Sequence, residues 1–369
     1  PAKITIDFFI YTFSNDKKWL LSGGVFVKSG FTLTIQPGTE IFAADDATTP
    51  FLSISRGAKI KAVGTATNPI VLTTIKSVTG TPSAGDWGGI IINGKAQINN
   101  GSEAEGEGGT GKYGGSNDND NSGTIKYVRV EYAGKLLGTD NELNGFSFNG
   151  VGSETTVEYI QAYRGADDGI EFFGGTVSVK YAVSTGNEDD SFDWTYGWRG
   201  NGQFWVANQE TGGGDRGIEA DNNGDDNTLT PYSNPTLANI TLIGADDGDA
   251  SNSGMRLREG TKGKIYNAIV TGFPNNGVRV SDAQTTTNMT GGELVLKNSN
   301  VFTNGTDWKD CATFSGDATN SSSSVTLSGY VGSSSTNALD PTTLGSWFSA
   351  GTFVGAVESS NDWTTGWTK

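Results

Sequence analysis

The stretch 167–194, DDGIEFFGGTVSVKYAVSTGNEDDSFDW, carries one short pattern twice: an acidic turn, a small residue, then apolar–acidic–apolar, as Gly169-Ile-Glu-Phe172 and Ser191-Phe-Asp-Trp194. Working outward, small–apolar–polar–apolar recurs as Gly145-Phe-Ser-Phe148, Gly217-Ile-Glu-Ala220, Gly254-Met-Arg-Leu257 and Gly277-Val-Arg-Val280, with successive starts 24, 22, 26, 37 and 23 residues apart. A second strand-like motif interleaves at the same period: Val157-Glu-Tyr-Ile160, Val177 to Tyr181, Phe204 to Asn208, Leu237 to Thr241, Ile265 to Ile269 and Leu296 to Asn300. Two short strands per repeat, separated by Gly, Asn and Asp turns with no helical periodicity between them, describe the coils of a parallel solenoid.

The N-terminal third reads the same way, with period-2 strands at 25–27, 31–35, 39–42, 51–54, 58–62, 69–72 and 89–92, and Gly30, Gly38, Gly57 and Gly64 at corners expected to need a positive φ. The expected fold is therefore all-β, a single-stranded right-handed parallel β-helix of roughly ten to fifteen coils. A sandwich or propeller is the alternative, but it calls for two-residue hairpins, and only Asn93-Gly94 resembles one. The β-helix domain is expected over 20–369, with loop insertions at 101–123, 209–234 and 244–253, and 1–19 as a segment that covers the N-terminal edge or pairs with a partner. Segment 101–123, with Ala104 and Tyr113 as its apolar content, is expected to be a surface excursion unable to bury a core face; an acid-lined cation site there is the other reading.

Composition narrows the chemistry. The chain of 369 residues has 25 Lys and Arg against 41 Asp and Glu, a formal charge of −16, so a phosphate backbone is repelled and nucleic acid is not an expected partner. With no His and one Cys, a Ser-His-Asp or Cys-His nucleophile and a His/Cys zinc site are excluded. Chemistry is left to carboxylates, Lys, Arg, Tyr or a hard metal ion, and no apolar run reaches the ~18 residues that span a bilayer. Cys311, in DWKDCATF, has no His to activate it and is expected to be a passive thiol.

Several longer runs, LTIQPGTEI (33–41), LSISRGAKIKAVGTATNPIVLTT (52–74), GDWGGIIINGKAQIN (85–99), SGTIKYVRVEYAG (122–134), NGFSF (144–148), DDGIEFFGGTV (167–177), EDDSFDW (188–194) and DWTTGWTK (362–369), resemble a family of secreted right-handed parallel β-helix proteins. That family is common in Bacteroidota and other Gram-negative bacteria, often as lipoproteins or type IX secretion cargo, and mostly lacks an assigned activity. The resemblance implies fold and an extracellular or outer cell-surface location more than function. It also implies that Trp87, Trp363 and Trp367 serve packing and end-capping, and that no sorting domain follows the closing motif. A first residue of Pro fits a processed or trimmed chain.

Strand alternation places Ile170 and Phe172 on one face and Glu171 on the other, so the apolar set lines the core and Ser147, Glu171, Asp193, Glu219, Arg256 and Arg279 form an outward column. Thr195, Asp221, Arg258 and Ser281 form a parallel column. With coils ~4.8 Å apart, three consecutive acids repel, which raises a pKa or recruits a cation. A carboxylate pair at about that spacing also suits a retaining glycosidase. The plainer reading pairs Glu219 with Arg256 and Asp221 with Arg258 as solvated salt bridges. Acidic turns at Asp167, Asp168, Asp189, Asp190 and Asp215 offer hard oxygen ligands for Ca²⁺, although Asp is also a common turn residue.

The functional expectation is a non-catalytic surface protein, either self-assembling through its coil ends or glycan-binding, with polysaccharide or other surface proteins as partners. Tyr196, Trp198, Trp205 and Arg279 are the candidate glycan contacts, since exposed aromatics stack on sugar faces. The alternative is a polysaccharide lyase or hydrolase using Glu171, Asp193, Glu219, Arg256 and Arg258. DDG (167–169) and Arg256-Leu-Arg258 resemble the clustered acids and basic motif of pectin-degrading β-helix enzymes, while their His-bearing motif has no counterpart here.

Overall fold

The computed structural model describes residues 5–6, 10–138, 141–245 and 252–369. Each repeat contributes one strand to each of two long parallel sheets, and the chain winds from one to the other as a parallel β-helix. The first sheet has eleven described strands, among them Phe146–Asn149, Ile170–Phe173, Phe192–Thr195, Arg216–Ala220, Ser253–Leu257 and Asn276–Val280. These are the strands the repeated motif predicts. The second sheet is continuous through Gly123–Glu131, Thr156–Tyr163, Ser178–Thr185, Asn201–Asn208, Thr236–Ile243 and Gly263–Thr271. In the early coils the equivalent path is broken into separate strands, and Gly123–Glu131 pairs with both Lys59–Val63 and Ile70–Thr74.

Stacking at constant register forces each interior position to accommodate its neighbours above and below. Phe148, Phe172 and Trp194 follow one another in register and are fully buried. Trp194 is beside Ala220, and Trp205 is beside Ala182, so a large side chain in one coil is matched by a small one in the next. Phe172 stacks on Trp198 at 4.1 Å and Phe192 on Trp205 at 4.6 Å. The motif glycines follow from the same closeness: a Cβ on Gly145 would lie 2.5 Å from the Gly169 carbonyl oxygen, and one on Gly254 2.4 Å from that of Gly277. Of the corner glycines, Gly30, Gly38 and Gly57 do take positive φ, but Gly64 does not; its Cβ would lie 2.7 Å from the Tyr127 carbonyl oxygen.

The long strands of the second sheet bend at one left-handed residue each, Tyr127, Tyr159, Tyr181, Phe204, Asn239 and Asn267, with φ between 51° and 62°. The first four rings stack outward at 4.2, 4.2 and 4.9 Å, an apolar ridge that needs cover. The C-terminal segment supplies it. Trp363 and Trp367 pack edge-on against Tyr159, Arg129 donates to the Trp367 carbonyl at 2.7 Å, and Gln161 accepts from the Lys369 amide at 2.9 Å. The closing motif therefore is no end cap: it runs back along the flank of the second sheet. Trp87 is core, as expected.

The remaining segment boundaries also shift. Thr5–Ile6 pairs in parallel with 26–27 and Ile10–Phe13 with 32–35, so the described part of 1–19 begins the helix itself rather than covering its edge. Asn93-Gly94 makes no hairpin; Ile90–Asn93 lies between parallel neighbours. Segment 209–234 is not one loop, because Arg216–Ala220 is a strand of the first sheet. Most of the expected 244–253 insertion, residues 246–251, lies outside the described residues, and Ser253 already opens a strand. Segment 101–123 is an ordered cover on the first sheet. The Thr110 carbonyl accepts from Ser53 at 2.7 Å and Asn93 at 3.1 Å, and Tyr113 is buried against Ile98 and Phe173.

Trp205 makes the interior testable. Trp205→Ala removes the ring stacked on Phe192 and leaves the Val179 carbonyl without its 3.0 Å indole donor. Equilibrium denaturation is expected to show a loss of about 3–5 kcal/mol. Leu20→Ala, at a side chain 56% exposed, is the control, expected within about 0.5 kcal/mol of the parent. Equal effects in the two variants would contradict this packing.

Candidate functional site

Register brings the outward residues of the first sheet into one column in the expected order: Ser147, Glu171, Asp193, Glu219, Arg256, Arg279, then Lys309. The column is less exposed than alternation alone implies. Ser147, Glu171 and Glu219 are buried, because loops before and after the strands rise beside them and segment 101–123 closes the near end. The turn acids join the column from one side. Asp168 accepts from the Asp190 amide at 2.9 Å, the Asp215 amide donates to the Asp189 carbonyl at 3.1 Å, and Asp167 lies on the same turn as Asp168.

Four overlapping trios result, each with carboxylate oxygens within 4.8 Å of one another: Asp167–Asp168–Asp189, Asp168–Glu171–Asp193, Asp189–Asp190–Asp215 and Asp190–Asp193–Glu219. Asp190 is 3% exposed, and its Oδ1 has no hydrogen-bond partner; the nearest cationic atom is Arg216 Nη1 at 4.0 Å. Asp193 Oδ1 is likewise buried without a partner.

Cations reach only the far half of the acids. Arg258 is 2.9 Å from Asp221 and 2.5 Å from Glu219, and Arg216 touches Asp215 and is 3.0 Å from Glu219. The expected Asp221–Arg258 pair thus forms. The expected Glu219–Arg256 pair does not, because Arg216 and Arg258 already take the Glu219 carboxylate, and Arg256 is left without an acidic partner among the described residues. No cation is paired with Glu107, Asp167, Asp168, Glu171, Asp189 or Asp193 among the described residues. Burial is the main cause that raises these acids, reinforced by their mutual repulsion: Glu107 is pushed up to about 8, Asp167 to about 7, and Asp168, Glu171, Asp190 and Asp193 well above the ordinary range. Burial also raises Asp189 and Glu219, and takes Asp221 to about 8 despite its arginine.

Of the aromatic candidates, Tyr196 alone lies at an opening. With Tyr113, Phe173, Asn100, Asn149 and Glu107 it lines a cavity of about 240 Å³ beside Glu171. Trp198 and Trp205 are corrected from glycan contacts to core: both are fully buried, and their indole N–H groups donate to the Val177 and Val179 carbonyls at 3.0 Å. Arg279 is on the column, four strands from Glu171. Burial pushes the Cys311 thiol up to about 12, as fits a passive role.

Sequence reasoning missed three participants. Glu107 lies in 101–123, where the surface-excursion reading and its acid-lined alternative single out no residue; the alternation Glu103, Glu105, Glu107 is the available signal. Asn144 donates to Glu171 at 2.5 Å and lies 3.5 Å from Glu107, so it bridges loop and column. Arg216 precedes its motif by one residue, where the neighbouring coils carry Ser253 and Asn276.

The donor set is entirely oxygen, which suits a hard cation such as Ca²⁺ and offers nothing to a thiophilic metal. No helix among the described residues is long and apolar enough to cross a membrane. No protein of curated function and no solved structure matches the chain. A family model does, that of a pectate-lyase-like β-helix domain, over residues 6–368. Spanning nearly the whole chain, that match places this protein in the pectate-lyase-like β-helix domain family.

Proposed function

We propose that the chain is a non-catalytic binder of acidic polysaccharide, gripping it across the outer face of the first sheet through a hard divalent cation, Ca²⁺ foremost. The observation that carries this reading is the group of buried carboxylates with no cationic partner among the described residues. Protons or a cation must balance them, and the unpartnered oxygens of Asp190 and Asp193 supply vacant donor positions. A cation held there neutralises the protein acids and leaves coordination positions for a uronate carboxylate. Tyr196, half-buried at the mouth of the adjoining cavity, offers a ring face for the sugar. Such polymers lie outside cells, so the reading carries with it an extracellular or outer-surface location.

One observation favours a second reading, a polysaccharide lyase. Burial lowers the Arg256 pKa, and Arg216, Arg279 and Arg258 lower it further. In this reading Arg256 takes the proton α to a uronate carboxyl, the bond to the glycosidic oxygen breaks as the ring double bond forms, and the departing oxygen takes a proton from water.

The raised acids set the pH behaviour. Their folded pKa values exceed the unfolded ones, so the folded chain holds extra protons, and the stability these groups contribute is full below about pH 4. For Glu107, Asp167 and Asp221 it is lost as pH rises through about 7 to 8. Thermal melts in EDTA are expected to show a lower Tm at pH 8 than at pH 5.5, and Ca²⁺ is expected to raise Tm far more at pH 8. Asp190→Asn/Asp193→Asn is expected to abolish most of that Ca²⁺ shift. An apo Tm that climbs from pH 5.5 to 8 would contradict the buried-acid geometry.

Function is tested by binding and depolymerisation of polygalacturonate and alginate against neutral dextran, with Ca²⁺ or EDTA. Binding of the acidic polymers that needs Ca²⁺, falls at least tenfold in the Asp190/Asp193 variant and yields no unsaturated product is expected. Unsaturated product that disappears in Arg256→Gln would overturn the non-catalytic reading in favour of the lyase. Equal binding of dextran would overturn both.

A further inference from the structure

Beyond Glu219 the column changes sign, and among the described residues no acid pairs with Arg256 or Arg279. Arg256 and Arg279 occupy the same register position on adjacent strands, so their guanidinium stems are one strand spacing apart, about 4.8 Å. Neither side chain has a hydrogen-bond or ion-pair partner among the described residues, and the Nε atom of each is buried. Two residues beyond Arg279, on the same face, Ser281 Oγ is also buried without a partner. Three shielded polar groups on adjacent coils, without a partner among the described residues, are costly in an apo surface. Their neighbours do not relieve them. Glu219, Asp221 and Glu259 are engaged by Arg216 and Arg258, and Asp282 is occupied as the cap of helix Ala283–Thr290, accepting from the Thr285 amide at 2.9 Å and from the Glu259 amide at 2.6 Å. Lys309 extends the positive run by one more strand.

We infer that Arg256, Arg279 and Ser281 form a site for a tetrahedral oxyanion, the sulfate ester of a glycan. This deepens the function proposed above and rests on it for the saccharide, while the anion site stands on its own residues. Shape selects the group. A planar carboxylate has two oxygens, which can serve two guanidinium groups as Glu219 serves Arg216 and Arg258, but it has no third oxygen for the hydroxyl. A sulfate ester has three terminal oxygens pointing apart, enough to accept from both arginines and the serine together. Charge then separates sulfate from phosphate. The ester sulfate is a monoanion, whereas a phosphate monoester carries about −1.5 to −2 at neutral pH and is penalised more by the adjoining acids. From Glu171 to Arg256 is three strand spacings, about 14 Å, so one chain can place a uronate on the acidic half and a sulfate on the basic half.

The test is calorimetric titration of the full chain with three probes, a sulfated uronate polysaccharide (chondroitin sulfate), its desulfated form and a phosphorylated glycan, beside Tm shifts with free sulfate and phosphate. Sulfated polymer is expected to bind at least tenfold more tightly than desulfated, and the phosphorylated glycan more weakly than the sulfated. Arg256→Gln/Arg279→Gln is expected to erase that preference while leaving the Ca²⁺-induced Tm shift intact, which also shows the variant folded. Ser281→Ala, a smaller change, is expected to weaken sulfated polymer alone. Equal affinity for sulfated and desulfated polymer, or an unchanged preference in the double variant, would overturn the oxyanion site and leave the cation-dependent function standing. Loss of the Ca²⁺ response with sulfate binding preserved would overturn that function and leave the site. A preference for phosphate would overturn the choice of sulfate.

Discussion

Everything in this chain follows from one hydrogen-bonded spacing: parallel strands in register repeat every ~4.8 Å, so each residue has the same-position residue of the next coil for a neighbour. Inside, this multiplies the return on a single apolar choice. Phe148, Phe172 and Trp194 form one continuous column, and the tryptophans are tolerated because Ala182 and Ala220 give up the volume they take. Outside, the same rule removes the freedom that exposed charges normally have to avoid one another. Glu171, Asp193 and Glu219 are held at adjacent positions whatever their repulsion.

Repulsion of that kind is tolerated only where something offsets it. Arg216 and Arg258 do so for Asp215, Glu219 and Asp221, and nothing does so for Asp168, Glu171 and Asp193 among the described residues. A purely structural ladder would alternate signs between coils, as Lys126 and Glu158 do on the second sheet at 2.9 Å. Here the signs are segregated instead, acids on three consecutive coils and arginines on the next two. On the function proposed above, this segregation serves ligands of both signs, a cation at one end and an anion at the other.

The repeat was legible because its period is set by local geometry: the small–apolar–polar–apolar motif marks the six first-sheet strands from Phe146–Asn149 to Asn276–Val280, and alternation alone gives the outward column in the right order. Features created between distant segments were not legible. Alternation places Trp198 and Trp205 without saying that a bend at Phe204 turns the strand and buries the ring after it. The left-handed tyrosines give no sequence signal, since Tyr is not a residue that favours positive φ, and so the ridge that the C-terminal segment covers was invisible. Segment 101–123 looked too polar to pack, yet its backbone carbonyl at Thr110 and its single ring at Tyr113 suffice to fix it over the sheet, and that brings Glu107 to the site.

The most direct measurement is proton release on adding Ca²⁺ to the weakly buffered apo chain. Acids raised to about 7 and above hold protons at pH 7 that a bound cation must displace. Release of one or more protons per bound Ca²⁺ at pH 7, fading as pH approaches 10, is the predicted result. Ca²⁺ binding with no proton release at pH 7, or no Ca²⁺ binding at any pH, would contradict a buried carboxylate cluster that awaits a cation.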